Sequence, residues 1–235
     1  MKKMDSRIKD ILQRLRVHYF NGEDKKNEYT YYNLDLSHKK FMIIIQNPGS
    51  GKKKSQERNE LNATSTDEEF IRVCRKYLQL WINEKINKEF WNNFINKLKK
   101  IEPELTTENI LDYFSITDII KRRTKNRQDK LKVEGFERSI LEEEIKSIAP
   151  QLIFVFGSRA WNSIRDIFKE NIIPKSNCNI KKPVNKAHGH LFQLKTLNIY
   201  IIPALHFSNK VRMNCPRESY SDYLEEGINK FKSYS

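Results

Sequence analysis

Runs of consecutive apolar residues mark the strands that the sequence predicts. Residues 41–45 (Phe-Met-Ile-Ile-Ile) and 152–156 (Leu-Ile-Phe-Val-Phe) are apolar at every position, and a glycine-containing turn follows each run. Short runs of this kind are typical of strands that are buried on both faces of a sheet. We therefore predict four strands, at residues 41–45, 113–120, 152–156 and 197–202.

Apolar residues at helical spacing separate these strands. An amphipathic helix is predicted over about residues 5–17, where Ile8, Ile11 and Leu15 share one face. Thr66 with Glu69 three residues later forms a plausible capping box for the next helix. Further helices are predicted at residues 67–86, 88–98 and 136–148, from Ser158 onward, and at about 219–231.

Buried strands that alternate with helices indicate a parallel sheet covered on both faces. We predict one three-layer α/β/α domain over residues 1–235, with a central, mostly parallel four-stranded sheet, because no linker rich in Gly, Ser or Pro interrupts the chain. In such sheets the ligand lies beyond the carboxyl ends of the strands. Four segments meet that condition: residues 46–50, 117–123, 157–158 and 206–209.

The charge balance suggests the kind of partner. Lysine and arginine number 44 against 30 acidic residues, a formal net charge of +14. Such an excess favours a polyanionic partner, of which nucleic acid is the usual one, and a general lysine bias in composition is the alternative. Hydrophobic residues at 38% and aromatic residues at 11% are too many for a disordered chain.

Cysteine usage argues against a cofactor. Cys74, Cys178 and Cys215 are irregularly spaced and form no Cys-x-x-Cys pair, so neither a disulfide framework nor a four-cysteine metal site is expected. Cys178 with His188 and His190 could bind a metal, although a His-x-His pair more often lies on a strand or loop without one. We expect no cofactor. The N-terminal segment lacks the apolar part of a signal peptide, and no apolar run approaches the roughly 20 residues that span a bilayer, so we expect a cytoplasmic protein.

The segment after the first strand, Gln46-Asn-Pro-Gly-Ser-Gly-Lys52, has some features of a phosphate-binding loop. A Walker A loop needs G-x-x-x-x-G-K followed by Ser or Thr. Gln46 stands in place of the first glycine and Lys53 in place of the hydroxyl residue, so an ordinary glycine turn is favoured over a nucleotide site. Asn47 puts an amide side chain at the strand tip, next to exposed backbone amides.

Two other strand ends carry polar side chains. Asp118 closes the strand predicted at 113–120, which indicates a role in the cleft, and an ion pair with Arg122 or Arg123 is the alternative. His206 follows the last predicted strand, and a purely structural histidine is the alternative there. The residues after His206 can hold a phosphate beside the imidazole: Ser208, Asn209, Lys210 and Arg212.

Four segments, taken in order, resemble motifs of the uracil-DNA glycosylase superfamily. Ile43-Ile-Ile-Gln-Asn-Pro-Gly49 is similar to its first motif, in the Asn-Pro-Gly form of the mismatch-specific, thymine and single-strand-selective branches. Residues 116–124 resemble the internal strand motif, residues 149–157 the third strand, and residues 202–209 the motif usually written His-Pro-Ser. The resemblance implies a uracil-DNA glycosylase-like fold.

The same resemblance implies a monofunctional DNA glycosylase that flips out a base and hydrolyses its N-glycosidic bond. Asn47 would hold the attacking water, and His206 would stabilise negative charge on the leaving base. Gln46, Pro48, Gly49 and Ser50 would line the base pocket with Asp118, and Gly49 and Ser50 would also grip phosphate. DNA phosphates would be bound by Gly157, Ser158, Ser208, Asn209, Lys210, Arg212, Arg122 and Arg123. The expected partner is DNA, and we expect a monomer.

Departures from the family pattern suggest which base would be removed. Asp118 stands where many relatives carry the asparagine that reads uracil, and Phe207 replaces the usual proline. Residues 50–69 contain no aromatic residue, whereas uracil-specific relatives have one there that excludes bulky 5-substituents. A carboxylate accepts from the amino group of cytosine and repels the O4 of uracil. The expected substrate is therefore a 5-modified cytosine, hydroxymethylated or glucosylated, as in defence against phage DNA.

Other functions stay open at this point. One is repair of uracil or another deaminated base. A second is a catalytically silent DNA-binding relative, because the first motif has no carboxylate to activate water. Asp118 in that activating role is a rival to base reading. A third, an RNA-binding protein, is favoured by net charge alone.

Overall fold

A central β-sheet organises the chain. The computed structural model describes residues 39–45, 63–120, 135–206 and 217–234, together with residues 6, 7, 10, 11, 13, 14, 56, 60 and 133. Within these residues the sheet has six strands. In chain order they are β1 (Phe41–Ile45), β2 (Phe114–Asp118), β3 (Leu152–Phe156), β4 (Ile172–Pro174), β5 (Phe192–Leu194) and β6 (Ile199–Ala204).

Helices lie between and after these strands. They are α1 (Asp67–Asn83), α2 (Lys85–Leu98), α3 (Ile110–Tyr113), α4 (Gly135–Ile148), α5 (Ser158–Phe168), α6 (Val184–Ala187) and α7 (Arg217–Lys232), with a 3-10 turn at Lys169–Asn171. None of the helices in the described part of the chain is both long and apolar enough to cross a membrane. Near the N-terminus, residues 6, 7, 10, 11, 13 and 14 are helical, and Arg14 donates to Glu143 of α4 at 3.0 Å.

The strand order is β2-β1-β3-β6-β5-β4. The first four strands in this order run parallel to one another, whereas β5 is antiparallel to both of its neighbours, β6 and β4. The predicted α/β class is confirmed, but the predicted count of four strands was wrong. The four predicted strands form the parallel part, and two three-residue strands extend one edge. A three-residue strand carries too little alternation to be recognised from sequence.

Both faces of the parallel strands are covered by helices, which explains their unbroken apolar sequences. On one face, Ile44 and Val155 pack in a cluster that contains Trp161 of α5 and residues of α4, here called the Trp161 core. On the other face, Phe154 packs in a cluster that contains Trp91 of α2 and residues of α7, here called the Trp91 core. The chain therefore has three layers, with the sheet in the middle.

Aromatic pairs in the Trp91 core hold the end of β3. The ring centroid of Phe94 lies 4.9 Å from that of Phe154, and the centroid of Phe90 lies 5.7 Å from that of Phe156, both edge to face. Pairs in this geometry contribute about 0.5–1.5 kcal/mol each beyond the area they bury. The last residue of β3 is thus fixed in position by α2.

The helices predicted between residues 67 and 231 are confirmed with shifted ends. Of the helix predicted over about residues 5–17, the structure describes residues 6, 7, 10, 11, 13 and 14, which are helical. The capping box is present: the Glu69 amide donates to the Thr66 hydroxyl at 3.2 Å, and the Glu69 carboxylate accepts from the Thr66 amide at 3.4 Å. The helix that this box begins ends at Asn83 rather than at 86, because Glu84 has ψ 135° and is the N-cap residue of α2, which begins at Lys85. At the start of β2, Tyr113 belongs to α3 instead of the predicted strand.

A proline lies inside β6, which extends to Ala204 instead of ending at residue 202. A proline in a central strand normally removes a ladder hydrogen bond. Pro203 costs no hydrogen bond to β3, because the N–H and carbonyl of one strand residue point to the same side. The Pro203 carbonyl points away from β3 and accepts from the Gly189 amide at 2.9 Å, whereas the Ala204 carbonyl accepts from the Gly157 amide, just after β3, at 2.8 Å. The missing N–H of Pro203 therefore faces away from β3.

Helix α7 approaches the turn at residues 188–189 so closely that only glycine fits at position 227. A Cβ atom on Gly227 would lie 2.5 Å from the carbonyl oxygen of Gly189 and 3.0 Å from Cδ1 of Ile202. Because the nearer contact is backbone, the helix or the turn must shift. Gly227→Ala should therefore lower the free energy of unfolding by about 1–3 kcal/mol, although alanine is the better helix former. Urea denaturation measures this change.

The matched control is Gly135→Ala at the start of α4, where an added Cβ meets nothing within 4 Å. This variant should keep the stability of the wild type or gain up to about 1 kcal/mol. Equal stability of the two variants would contradict the close approach of α7.

Candidate active site

The carboxyl ends of the four parallel strands lie in one row. Asp118, the last residue of β2, pairs with Ile45, the last residue of β1. Ile44 pairs with Val155, so Ile45 lies beside Phe156, and Phe156 in turn pairs with Ala204 of β6. Segments that are far apart in the sequence therefore leave the sheet at the same edge.

A crevice is expected between β1 and β3. The chain passes from β1 outward to β2, and then crosses to β3 on the other side of β1. The loops that follow β1 and β3 therefore lead away from each other. In open α/β sheets this reversal in strand order opens the ligand site at the carboxyl edge. The order found here has the same reversal as the flavodoxin-like order that the rule covers.

Asp118 lies on one side of this crevice and is 7% exposed. Because side chains alternate along a strand, Asp118 shares a face with Ile116 and Phe114, which belong to the Trp91 core. Asp118 also has at least one interaction partner. The position at the end of a buried strand agrees with the sequence prediction.

Behind β2, on the opposite face of the sheet, α4 buries two carboxylates that sequence reasoning missed. Glu137 and Glu144 are almost fully inaccessible, and both have partners. The Thr117 hydroxyl donates to Oε2 of Glu144 at 3.1 Å. The two glutamates occur seven residues apart, in phase with the apolar stripe of α4, and that spacing is the signal that could have identified them as buried.

Gly157 and Ser158 form the exit of β3. Gly157 has φ 98°, a conformation that favours glycine, and it is the N-cap residue of the 11-residue helix α5. The first amides of a helix lack acceptors within the helix, and the dipole there favours negative charge. The predicted phosphate-binding residues Gly157 and Ser158 thus lie at a helix N-terminus on the crevice edge.

His206 lies at the exit of β6, on the other side of the crevice from Asp118. The strand end before it is tied by the Gly157 amide, which donates to the Ala204 carbonyl at 2.8 Å. The ring is half-buried, and desolvation holds the pKa of His206 below its usual 6.5. The imidazole is therefore neutral at pH 7, with one nitrogen able to donate and the other able to accept.

Three strand spacings separate Asp118 from the end of β6. At about 4.8 Å per spacing this amounts to about 14 Å between backbones. Asp118 and His206 thus lie on opposite sides of the expected crevice. The structure thus brings Asp118, Gly157, Ser158 and His206 to one edge of the sheet.

The other predicted site residues lie outside the described residues. They follow β1, β2 and β6 in the sequence: Gln46, Asn47, Pro48, Gly49, Ser50, Arg122, Arg123, Ser208, Asn209, Lys210 and Arg212. The described strands fix where these segments begin. Their roles stay predictions.

The side chains considered as metal ligands make other contacts. Nδ1 of His188 accepts from the Leu205 amide at 3.2 Å, and Nδ1 of His190 lies 3.1 Å from the Ser176 hydroxyl. Cys178 is directed at the Lys186 carbonyl, at 3.5 Å. In the described part of the chain no three residues of His, Cys, Asp or Glu are grouped as metal ligands.

Sequence comparison identifies the family of the chain. A model of the family described as the Uracil DNA glycosylase superfamily matches residues 33–231. Because this match covers most of the chain, the protein belongs to the uracil-DNA glycosylase superfamily, and the resemblance seen in the four motifs is confirmed. Members of this superfamily are DNA glycosylases, although it also includes inactive members. Family membership implies that the chain binds DNA. No curated protein matched the sequence significantly.

The burial of His206 predicts a low midpoint for the titration of its imidazole. In an NMR titration the imidazole of His206 should have a midpoint below 6.5, because desolvation disfavours the charged form. The signal is identified by its absence from His206→Gln. A midpoint above 6.5 would mean that a negative group or solvent, rather than burial, dominates the environment of the ring.

Proposed function

We propose that the protein is a monofunctional DNA glycosylase. It flips one nucleotide out of DNA and hydrolyses the bond between base and sugar. The observation that carries this proposal is the meeting of Asp118 and His206 at one edge of the parallel sheet, in a chain of a DNA glycosylase family. An active site for a flipped base needs polar groups that face the edges of a planar ring. Asp118 and His206 are our candidates for these groups.

The neutral imidazole of His206 suits the leaving group. When the glycosidic bond breaks, its electron pair leaves with the base, and negative charge develops on the base. A half-buried N–H donor that is aimed at this charge gains strength as the charge grows, so it lowers the barrier more than it strengthens substrate binding. Water held by Asn47 would supply the oxygen that bonds to the sugar carbon.

Binding must also supply the free energy for flipping. Extrusion of a base costs a few kcal/mol in lost stacking and pairing. The net charge of +14 and the N-terminus of α5 behind Gly157 and Ser158 support phosphate contacts around the flipped nucleotide. Ser208, Asn209, Lys210 and Arg212 after β6, with Arg122 and Arg123 after β2, would add contacts from both sides.

The substrate we propose is a 5-modified cytosine, hydroxymethylated or glucosylated. Asp118 is an acceptor-only group when ionised, and cytosine presents an amino donor where uracil presents an oxygen. The absence of an aromatic residue from residues 50–69 favours a pocket that admits a 5-substituent. Bases of this kind occur in phage DNA, so the proposed setting is defence against phage.

His206→Ala should lower the single-turnover rate of base release by about 10²–10³ while DNA affinity and folding are retained, because one transition-state donor is lost. Asn47→Ala should have a similar effect, because water positioning is needed only in the chemical step. The assay incubates wild type and variants with normal, uracil-containing, hydroxymethylated and glucosylated DNA, and measures abasic sites and released base.

Circular dichroism and DNA binding are the controls for these two variants. Near-normal rates in both would show that the active site lies elsewhere. A wild-type protein that binds DNA but forms abasic sites on none of the four DNAs would identify it as a silent relative.

Asp118→Asn should shift preference from 5-modified cytosine toward uracil, because an amide both donates and accepts. The discrimination at stake is about 1–3 kcal/mol, roughly 5- to 150-fold in relative rate. Single-turnover rates on uracil, cytosine, hydroxymethylcytosine and its glucosylated form measure this ranking.

The control is Asp112→Asn, which removes an equal charge from an exposed carboxylate that pairs with Arg75 just before β2. Its ranking of bases should equal that of the wild type. Loss of all cleavage in Asp118→Asn would instead assign Asp118 to water activation. A lower free energy of unfolding in Asp118→Asn, with an unchanged ranking of bases, would show that Asp118 acts in a structural ion pair.

A further inference from the structure

The backbone just before His206 is held by a side chain from another segment. His188 follows α6 and is 5% exposed. Its Nδ1 accepts a hydrogen bond from the Leu205 amide at 3.2 Å. An acceptor nitrogen must carry a lone pair, so the ring of His188 has its proton on Nε2. Leu205 lies 17 positions after His188 in the chain.

This hydrogen bond takes the place of a strand pairing. β5 reaches only to Phe192, which pairs with Ile201, so the last residues of β6 extend beyond their antiparallel neighbour. The chain before β5 continues alongside them: the Gly189 amide donates to the Pro203 carbonyl at 2.9 Å, and His188 accepts from Leu205. The His188 side chain therefore provides the last contact on this side of β6 before His206.

The turn that carries His188 is itself closely packed. Gly189 has φ 76°, and its carbonyl oxygen is in close contact with α7 at Gly227. On the other side, the Leu191 amide donates to the Ser176 hydroxyl at 3.2 Å, and His190 contacts the same hydroxyl at 3.1 Å. A turn fixed in this way can hold the Leu205 amide at a defined position.

We infer that His188 is a positioning residue for His206, an inference that rests on the proposed function of His206. The next peptide unit after the Leu205 amide leads directly into His206, so the hydrogen bond sets where the imidazole enters the crevice. Without it, the half-buried Leu205 amide would have to find another acceptor, and the strand end would move. A displacement of about 1 Å at a reacting group can cost about 100-fold in rate.

The test compares two replacements of His188 and a neighbouring control. His188→Asn keeps an acceptor oxygen near the place of Nδ1, and His188→Leu keeps a similar volume without an acceptor. His188→Leu should lower the single-turnover rate by about 10- to 100-fold at unchanged DNA affinity, and His188→Asn should restore most of it. Asn185→Ala, a change at an exposed position of α6 that leaves the Leu205 contact in place, should leave the rate unchanged. A purely structural role would lower the melting temperature in both His188 variants without rescue by asparagine.

Two measurements on the wild type test the contact without any assay of activity. The Leu205 amide should be protected from hydrogen exchange, and the ¹⁵N shifts of His188 should show the proton on Nε2. Rapid exchange at Leu205, or a proton on Nδ1 of His188, would overturn the inference even if base release is found. Protection at Leu205, with no base release by the wild type, would instead reject the proposed function and leave the contact in place. Equal single-turnover rates in folded His188→Leu and wild type would also overturn the positioning role.

Discussion

The pairing of four parallel strands, each buried on both faces, is the constraint on which the rest of this structure depends. Backbone groups in a buried strand must be satisfied by neighbouring strands, so register is strongly specified. The pairs Ile45 with Asp118 and Phe156 with Ala204 are the outcome at the carboxyl edge. Every segment with candidate chemistry begins where one of these strands ends, and the edge therefore acts as a common support for loops of different origin.

The two cores support this edge from opposite faces. In the Trp91 core, Phe90 packs against Phe156 and thereby fixes the residue before Gly157. On the same face, Gly227 of α7 contacts the turn at residues 188–189. This turn holds the end of β6 through the hydrogen bond between His188 and the Leu205 amide. Rigid packing of this kind favours catalysis by positioned dipoles, because such groups need little reorganisation when charge develops.

The net charge of the chain and the local environment of His206 have opposite electrostatic effects. The excess of basic residues favours long-range attraction of a polyanion, with the steep salt dependence that counterion release produces. Near the crevice, burial acts in the other direction: desolvation lowers the pKa of His206, so this ring adds no positive charge at neutral pH. In the function that we propose, attraction of DNA and stabilisation of the leaving base therefore fall to different groups.

The sequence by itself determined the local elements and suggested the candidate chemistry. Unbroken apolar runs identified the strands from Phe41 and Leu152, and Thr66 with Glu69 identified a helix start. Polar residues after strands marked Asp118 and His206 as candidate site residues. These features depend on neighbours in the chain, so they can be read locally. Only the tertiary structure decided the strand order, the short strands β4 and β5, and the contact of His188 with Leu205. Each of these depends on pairing or packing between distant segments, which no local pattern encodes.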